Sequence, residues 1–184
     1  MKILSQEGME GLTVEKVVAQ SKTSMGAFYL RFESRAGLID ALHIRFLQTI
    51  PPQLTKLIVT KTPKRDLYAE LFDIGYAFLA FAELHKDEIA LFVLQASKEG
   101  AFHEDAREVH RKIHEIFSHR ISYHSGEISA QVLKAKIDFT YRLYYGFVLQ
   151  ILTWESDFIT GTKKSVKNIA GELALIAERY LRTQ

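Results

Sequence analysis

The sequence predicts an all-α protein in two parts, a set of short helices at the N-terminus and a larger helical body behind it. Three observations predict this. The strong helix formers Leu, Ala, Glu and Lys are plentiful, the 184-residue chain has prolines only at Pro51, Pro52 and Pro63, and apolar residues recur at the three- and four-residue spacing of a helix face. A hydrophobic fraction of 47% beside a charged fraction of 25% describes a chain with a packed interior, not a disordered one.

The first part reads as four helices, each with its own start and stop. The first holds Ile3 and Leu4 and stops at Gly8, because glycine accepts the left-handed conformation of a helix end. It keeps only about two turns. Thr13 caps a second helix running to about Gln20, with Val14, Val17 and Val18 on its inner face and Glu15 in its first turn, where the dipole favours an acid. A turn follows from Ser21 to Thr23. Ser24 caps a third helix over 25–32, in which Phe28 and Phe32 stand one turn apart and face inward together while the other side stays free. Ser34 caps a fourth, whose apolar stripe Leu38, Ile39, Leu42, Phe46 and Leu47 continues toward Ile50. Pro51 and Pro52 are expected to end it, since proline has no N–H to donate and its ring collides with the preceding turn. The domains are therefore expected at 1–47 and 48–184.

The second part predicts helices near 64–84, 87–97, 104–123, 127–154 and 163–182, with breaks at Gly100, Ser125-Gly126 and Gly161. The stretch 71–84 is apolar nearly all round, which marks a central helix wrapped by others.

Several function classes are disfavoured. With no cysteine there is no disulfide framework and no thiolate metal site, which fits a reducing, cytoplasmic setting. The N-terminus lacks the pattern of a secretory signal. The most apolar stretch, 137–154, carries Asp138, Arg142 and several tyrosines and suits a protein interior better than lipid, so no membrane partner is expected. With 24 basic against 22 acidic side chains, net charge +2, any polyanion must be met by local basic groups. No nucleophile elbow, phosphate loop or dinucleotide fingerprint occurs, so neither an enzyme nor a cofactor is expected. His110 and His114, in HRKIH, are spaced to share a metal, but the pattern lacks the glutamate of HExxH and needs a third ligand such as His103 or Glu104. A solvated helix face explains the same spacing, and no metal is expected.

Two short helices joined by a tight turn, the second with a small or polar outer face, have the geometry of a helix-turn-helix. Residues 13–32, TVEKVVAQSKTSMGAFYLRF, followed by ESRAGLIDAL, resemble the DNA-binding head of the TetR family. Gly8, Thr13, Val14, Ser24, Gly26, Tyr29 and Phe32 carry the resemblance, with Ser34, Arg35 and Leu38 opening the next helix. Lys22 stands where the family usually has glycine, and Met25 where a basic residue is common. Lys22 pays a strain cost if its position needs a positive φ.

These residue types suit DNA on their own chemistry. Thr13 presents a hydroxyl and helix-terminal N–H groups to a phosphate, or serves as a plain cap. Gly26, costing about 1 kcal/mol against alanine in a helix, implies close approach of a duplex or of a neighbouring helix. Tyr29 lies opposite the phenylalanine pair and reaches a phosphate unless it is buried. Thr23, Ser24, Met25 and Ala27 occupy the end of the helix that enters a major groove, Met25 and Ala27 suiting thymine methyls and the hydroxyls suiting a base or phosphate. Lys22, Arg31 and Arg35 supply the local charge.

For the body, the resemblance implies an inducer pocket and a homodimer through the last two helices, hence a transcriptional repressor released from a double-stranded operator by a small molecule. Tyr68, Phe72, Tyr76 and Phe92 are the candidate aromatic contacts, and Gln95, His103, Tyr141 and Tyr145 the candidate polar ones, for an apolar or aromatic effector. With no obvious buried charge, a neutral effector is favoured. The alternatives are a helical ligand-binding dimer with an impaired head, or a His/carboxylate metal enzyme.

Overall fold

Short polar side chains set where the helices begin. In the computed structural model, which describes residues 2–59, 66–86, 88–90, 103–128, 133–153, 161–162 and 164–183, Thr13, Ser24, Asp66 and Ser165 each accept a hydrogen bond from the backbone N–H three residues on. The elements are α1 (Lys2–Gly11), α2 (Val14–Ser21), α3 (Met25–Phe32), α4 (Arg35–Val59), α5 (Leu67–Leu84), α6 (His103–Ser122), α7 (Leu133–Thr153) and α8 (Val166–Arg182), with a single 3-10 turn at Ser125–Glu127. All are helical, as expected, and no helix among the described residues is long and apolar enough to cross a membrane.

Gly8 interrupts α1 with φ +65°, the left-handed value that made glycine the expected stop, although helix resumes for another turn beyond it. Buried Ile3, Leu12, Phe28, Leu38 and Ile39 form the core of the head.

The expectation that Pro51 and Pro52 end the fourth helix is wrong: α4 runs through both to Val59. Two missing N–H donors cost roughly 3 kcal/mol each in an ordinary helix interior. The stripe outweighs them, because Phe46, Leu54 and Ile58 are buried and Ile50 packs beside them at four-residue spacing, each full burial contributing about 1.5–3 kcal/mol. One helix therefore belongs to both the head core and the core of the body.

In the body α5 is central, with ten buried residues from Leu67 to Ala82, as its all-round apolar pattern predicted. Its longest seam is with α8, where Ala170, Ala174 and Ala177 allow close backbone approach. Buried Lys136 on α7 donates to the Leu181 carbonyl at 3.2 Å and to that of Thr183, which closes α7 onto the end of α8. Tyr144, fully buried, donates to the Leu71 carbonyl at 3.1 Å and sets the edge of its ring against Gly75, where a Cβ would overlap it. Gly75→Ala is expected to cost about 1–3 kcal/mol in a urea melt, because the anchored ring cannot swing aside.

The expectation of no buried charge does not hold. Glu70 on α5 is completely buried, and Arg120 on α6 places both Nε and a terminal nitrogen 2.5 Å from its Oε1. His124 Nε2 lies 3.9 Å from the other carboxylate oxygen.

Candidate functional site

The turn between α2 and α3 is tight because Lys22 adopts φ 53°, ψ 40°, and Thr23 N–H reaches back to the Val18 carbonyl at 3.1 Å. A lysine in this left-handed region carries a strain of about 1 kcal/mol that glycine would not. The turn sets α3 across the head, anchored by Phe28, which is 2% exposed and touches Phe32 ring to ring.

The opposite side of α3 is open. Met25 is 40% exposed, Tyr29 48% and Leu30 90%, and a Cβ added to Gly26 would meet nothing nearer than Ser24 Oγ at 4.0 Å. Packing against the protein's own helices thus does not explain Gly26, and Tyr29 is not buried. Residues 25 and 29, and 26 and 30, are one turn apart, so the four make a single face. Leu30 escaped the sequence reading because leucine reads as core; its position one turn after Gly26 was the available signal.

The flanking groups divide by what already holds them. Thr13 Oγ1 accepts from Lys16 N–H at 3.3 Å and Ser24 Oγ from Ala27 N–H at 3.1 Å, so both act as caps, and each hydroxyl retains its hydrogen for a phosphate or base. Lys22, Thr23 and Ala27 are exposed beside them. Arg31 lies over the Phe32 ring at 5.4 Å. Arg35 is tied inward, Nε donating to the Leu12 carbonyl at 2.7 Å, which fixes the start of α4 to the α1–α2 corner.

The body holds a cavity of about 550 Å³ between α4, α5, α6 and α7. Phe46, Ile50 and Leu54 of α4 form one wall, Phe78 and Phe81 of α5 another, and His110, Tyr141 and Tyr145 the polar corner. His110 Nδ1 and the Tyr141 hydroxyl are 3.1 Å apart, and the Tyr145 ring meets the imidazole edge-on at 4.5 Å. Burial pushes the His110 pKa down and those of Tyr141 and Tyr145 up, so all three are uncharged near neutral pH.

Of the expected ligand residues, Tyr141 and Tyr145 line this cavity. Tyr68, Phe72 and Tyr76 do not; they stack along the outer edge of α5 with centroids 6.5 and 6.2 Å apart. Phe92 and Gln95 lie outside the described residues, as does the His103 side chain. His110 Nδ1 meets the Tyr141 hydroxyl, whereas His114 Nε2 is 2.8 Å from Asp138 Oδ1. Among the described residues no three His, Asp or Glu side chains gather to hold a metal.

A tight turn presenting an open-faced second helix, borne on a helical body, defines a helix-turn-helix DNA-binding protein. Residues 1–42 match the model of the bacterial regulatory proteins of the tetR family. The head is thus that of a TetR-family regulator, and residues 1–42 carry that assignment. It resembles a bacterial regulatory protein in the tetR family from Rhodococcus RHA1, with TM-score 0.66 and 15% identity over 98% of this chain and 91% of that one. A protein with unknown function from Rhodococcus sp. RHA1 gives TM-score 0.74 at 16% identity, covering 99% and 91%. Salmonella enterica GusR gives 0.68 at 16%, again covering 99% and 91%. At these identities the likeness concerns the fold. No curated protein matches the chain.

Proposed function

We propose that the protein is a homodimeric repressor that leaves its operator when a small molecule fills the body cavity. The observation that carries this is α4, a continuous helix whose Leu38 and Ile39 sit in the head core and whose Phe46, Ile50 and Leu54 wall the cavity. A ligand that favours one position of that wall shifts the population of head positions, by no more than its differential affinity for the two. Pro51 and Pro52, on the same segment, remove two ladder hydrogen bonds and make it the soft point of the lever. This keeps 1–47 as the reading domain and 48–184 as the sensing and pairing domain.

Thr13, Lys22, Arg31 and Arg35 are assigned to phosphates, Tyr29 to a phosphate beside the groove, and Thr23, Ser24, Met25, Gly26 and Ala27 to the groove itself. Pairing through α7 and α8 is supported by large apolar side chains left facing out: Phe139 is 52% exposed, Leu175 42% and Ile176 53%. Gly146 on α7 has open space where a partner backbone can approach. A four-helix bundle about a two-fold axis would bury these groups and set the spacing of two half-sites.

Nuclease footprinting on the DNA flanking the coding region tests the reading. The expected result is a protected tract with two half-sites an integral number of helical turns apart, weakening on the order of 1,000-fold between 50 and 200 mM salt. In sedimentation velocity the protein should run as a dimer and Ile176→Glu as a folded monomer with at least a tenfold weaker footprint. A flanking region left unprotected, or a monomeric wild type, would contradict it.

A further inference from the structure

The effector's chemistry follows from the cavity walls, an inference that rests on reading this cavity as the effector site. We propose that the ligand is an uncharged, mostly apolar molecule bearing one acceptor oxygen, a ketone, ester or ether type, held at the His110–Tyr141–Tyr145 corner with its apolar remainder along α4.

The acceptor requirement is a matter of counting protons. A neutral imidazole carries one N–H and a phenol one O–H. If Tyr141 donates to His110 Nδ1 across their 3.1 Å contact, the imidazole keeps its Nε2–H; if Nδ1–H donates to the phenol oxygen, the phenol keeps its O–H. Either way the pair has one donor left over, and the Tyr145 hydroxyl adds a second. A ligand oxygen with two lone pairs satisfies both, and one lacking oxygen leaves a half-buried donor without a partner, the situation that sites of this kind discriminate against most strongly.

The absence of ligand charge follows from the rest of the wall. Its remaining surface is dominated by Phe46, Ile50, Leu54, Phe78 and Phe81. Among the described residues Arg107 is the one lysine, arginine or carboxylate side chain in the lining, and it is 71% exposed and paired with Glu104 at 3.1 Å, so it serves the rim and not the interior. His43, the remaining polar residue of the described wall, is 3% exposed. A carboxylate entering this space would lose its hydration with no counter-ion among the described interior wall residues to replace it.

The test uses the full-length protein loaded with the neutral fluorophore N-phenyl-1-naphthylamine, displaced in turn by hexyl phenyl ketone, heptylbenzene and 4-hexylbenzoate. The ketone is expected to displace the dye about tenfold more effectively than the hydrocarbon and at least tenfold more effectively than the carboxylate. In Tyr141→Phe and His110→Leu the ketone's advantage over the hydrocarbon should fall to about twofold or less. Should either variant fail to fold, the wild-type ranking still decides. A carboxylate that equals or beats the ketone, no preference for the ketone over the hydrocarbon, or an advantage that survives in both folded variants overturns the inference while leaving the cavity intact as a binding site. Failure of the dye to enter the wild-type protein at all overturns the cavity reading itself.

Discussion

Replacing Glu70 with alanine is expected to lower folding stability by about 3–5 kcal/mol, a large part of what a domain of this size possesses. The carboxylate is fully buried at the seam of α5 and α6 and receives two guanidinium nitrogens at 2.5 Å. Its loss takes away the carboxylate that faces the Arg120 guanidinium, itself only 4% exposed, in surroundings that hydrate it poorly. The reverse experiment separates a buried-charge penalty from mere loss of packing. Glu70→Met with Arg120→Leu removes both charges and should recover most of the lost stability, because an apolar pair of similar volume pays no desolvation. Urea melts followed by circular dichroism read both. A loss below about 1 kcal/mol in Glu70→Ala would show that the pair is solvated and contributes little, as exposed pairs do.

On the open face of α3, Gly26→Glu should act in opposite directions on folding and on binding. Stability should rise by about 0.5–1 kcal/mol, since glutamate is the better helix former and a Cβ at this position meets only open space. Operator affinity should fall by 100-fold or more, because a carboxylate would project from the face assigned to the groove and toward the phosphates. Tyr29→Phe, which removes a single hydroxyl from a 48% exposed side chain, should cost about tenfold with no change in the melt. Fluorescence anisotropy on the footprinted duplex measures both. A Gly26→Glu protein that binds as well as the wild type would remove α3 from the interface.

The head was legible because its signals are local. A cap, a glycine at a positive φ and two phenylalanines one turn apart each act within a few residues, and Ser24, Gly8, Phe28 and Phe32 stand where those rules put them. The body was less so. Proline's local cost predicted a stop at Pro51, and only the tertiary burial of Leu54 and Ile58 shows why α4 continues. Glu70 carries no local signal, because nothing in the sequence reports that Arg120, fifty residues on, lies against it. The cavity was half legible for the same reason. A helix apolar on every side, as α5 is, gives no phase, so its Tyr68–Phe72–Tyr76 row and its Phe78–Phe81 pair are equal candidates until the packing of α4 and α7 decides between them.

Everything functional here depends on α3 lying against a duplex, and photocrosslinking reads that contact most directly. With p-benzoylphenylalanine in place of Leu30, which is 90% exposed beside Gly26, irradiation of the complex should yield a covalent adduct to bases within the footprinted tract. The same probe in place of Lys167, exposed on α8 of the body, should yield none. A protein that shifts the duplex yet gives no adduct from position 30, or an equal one from position 167, would contradict the account.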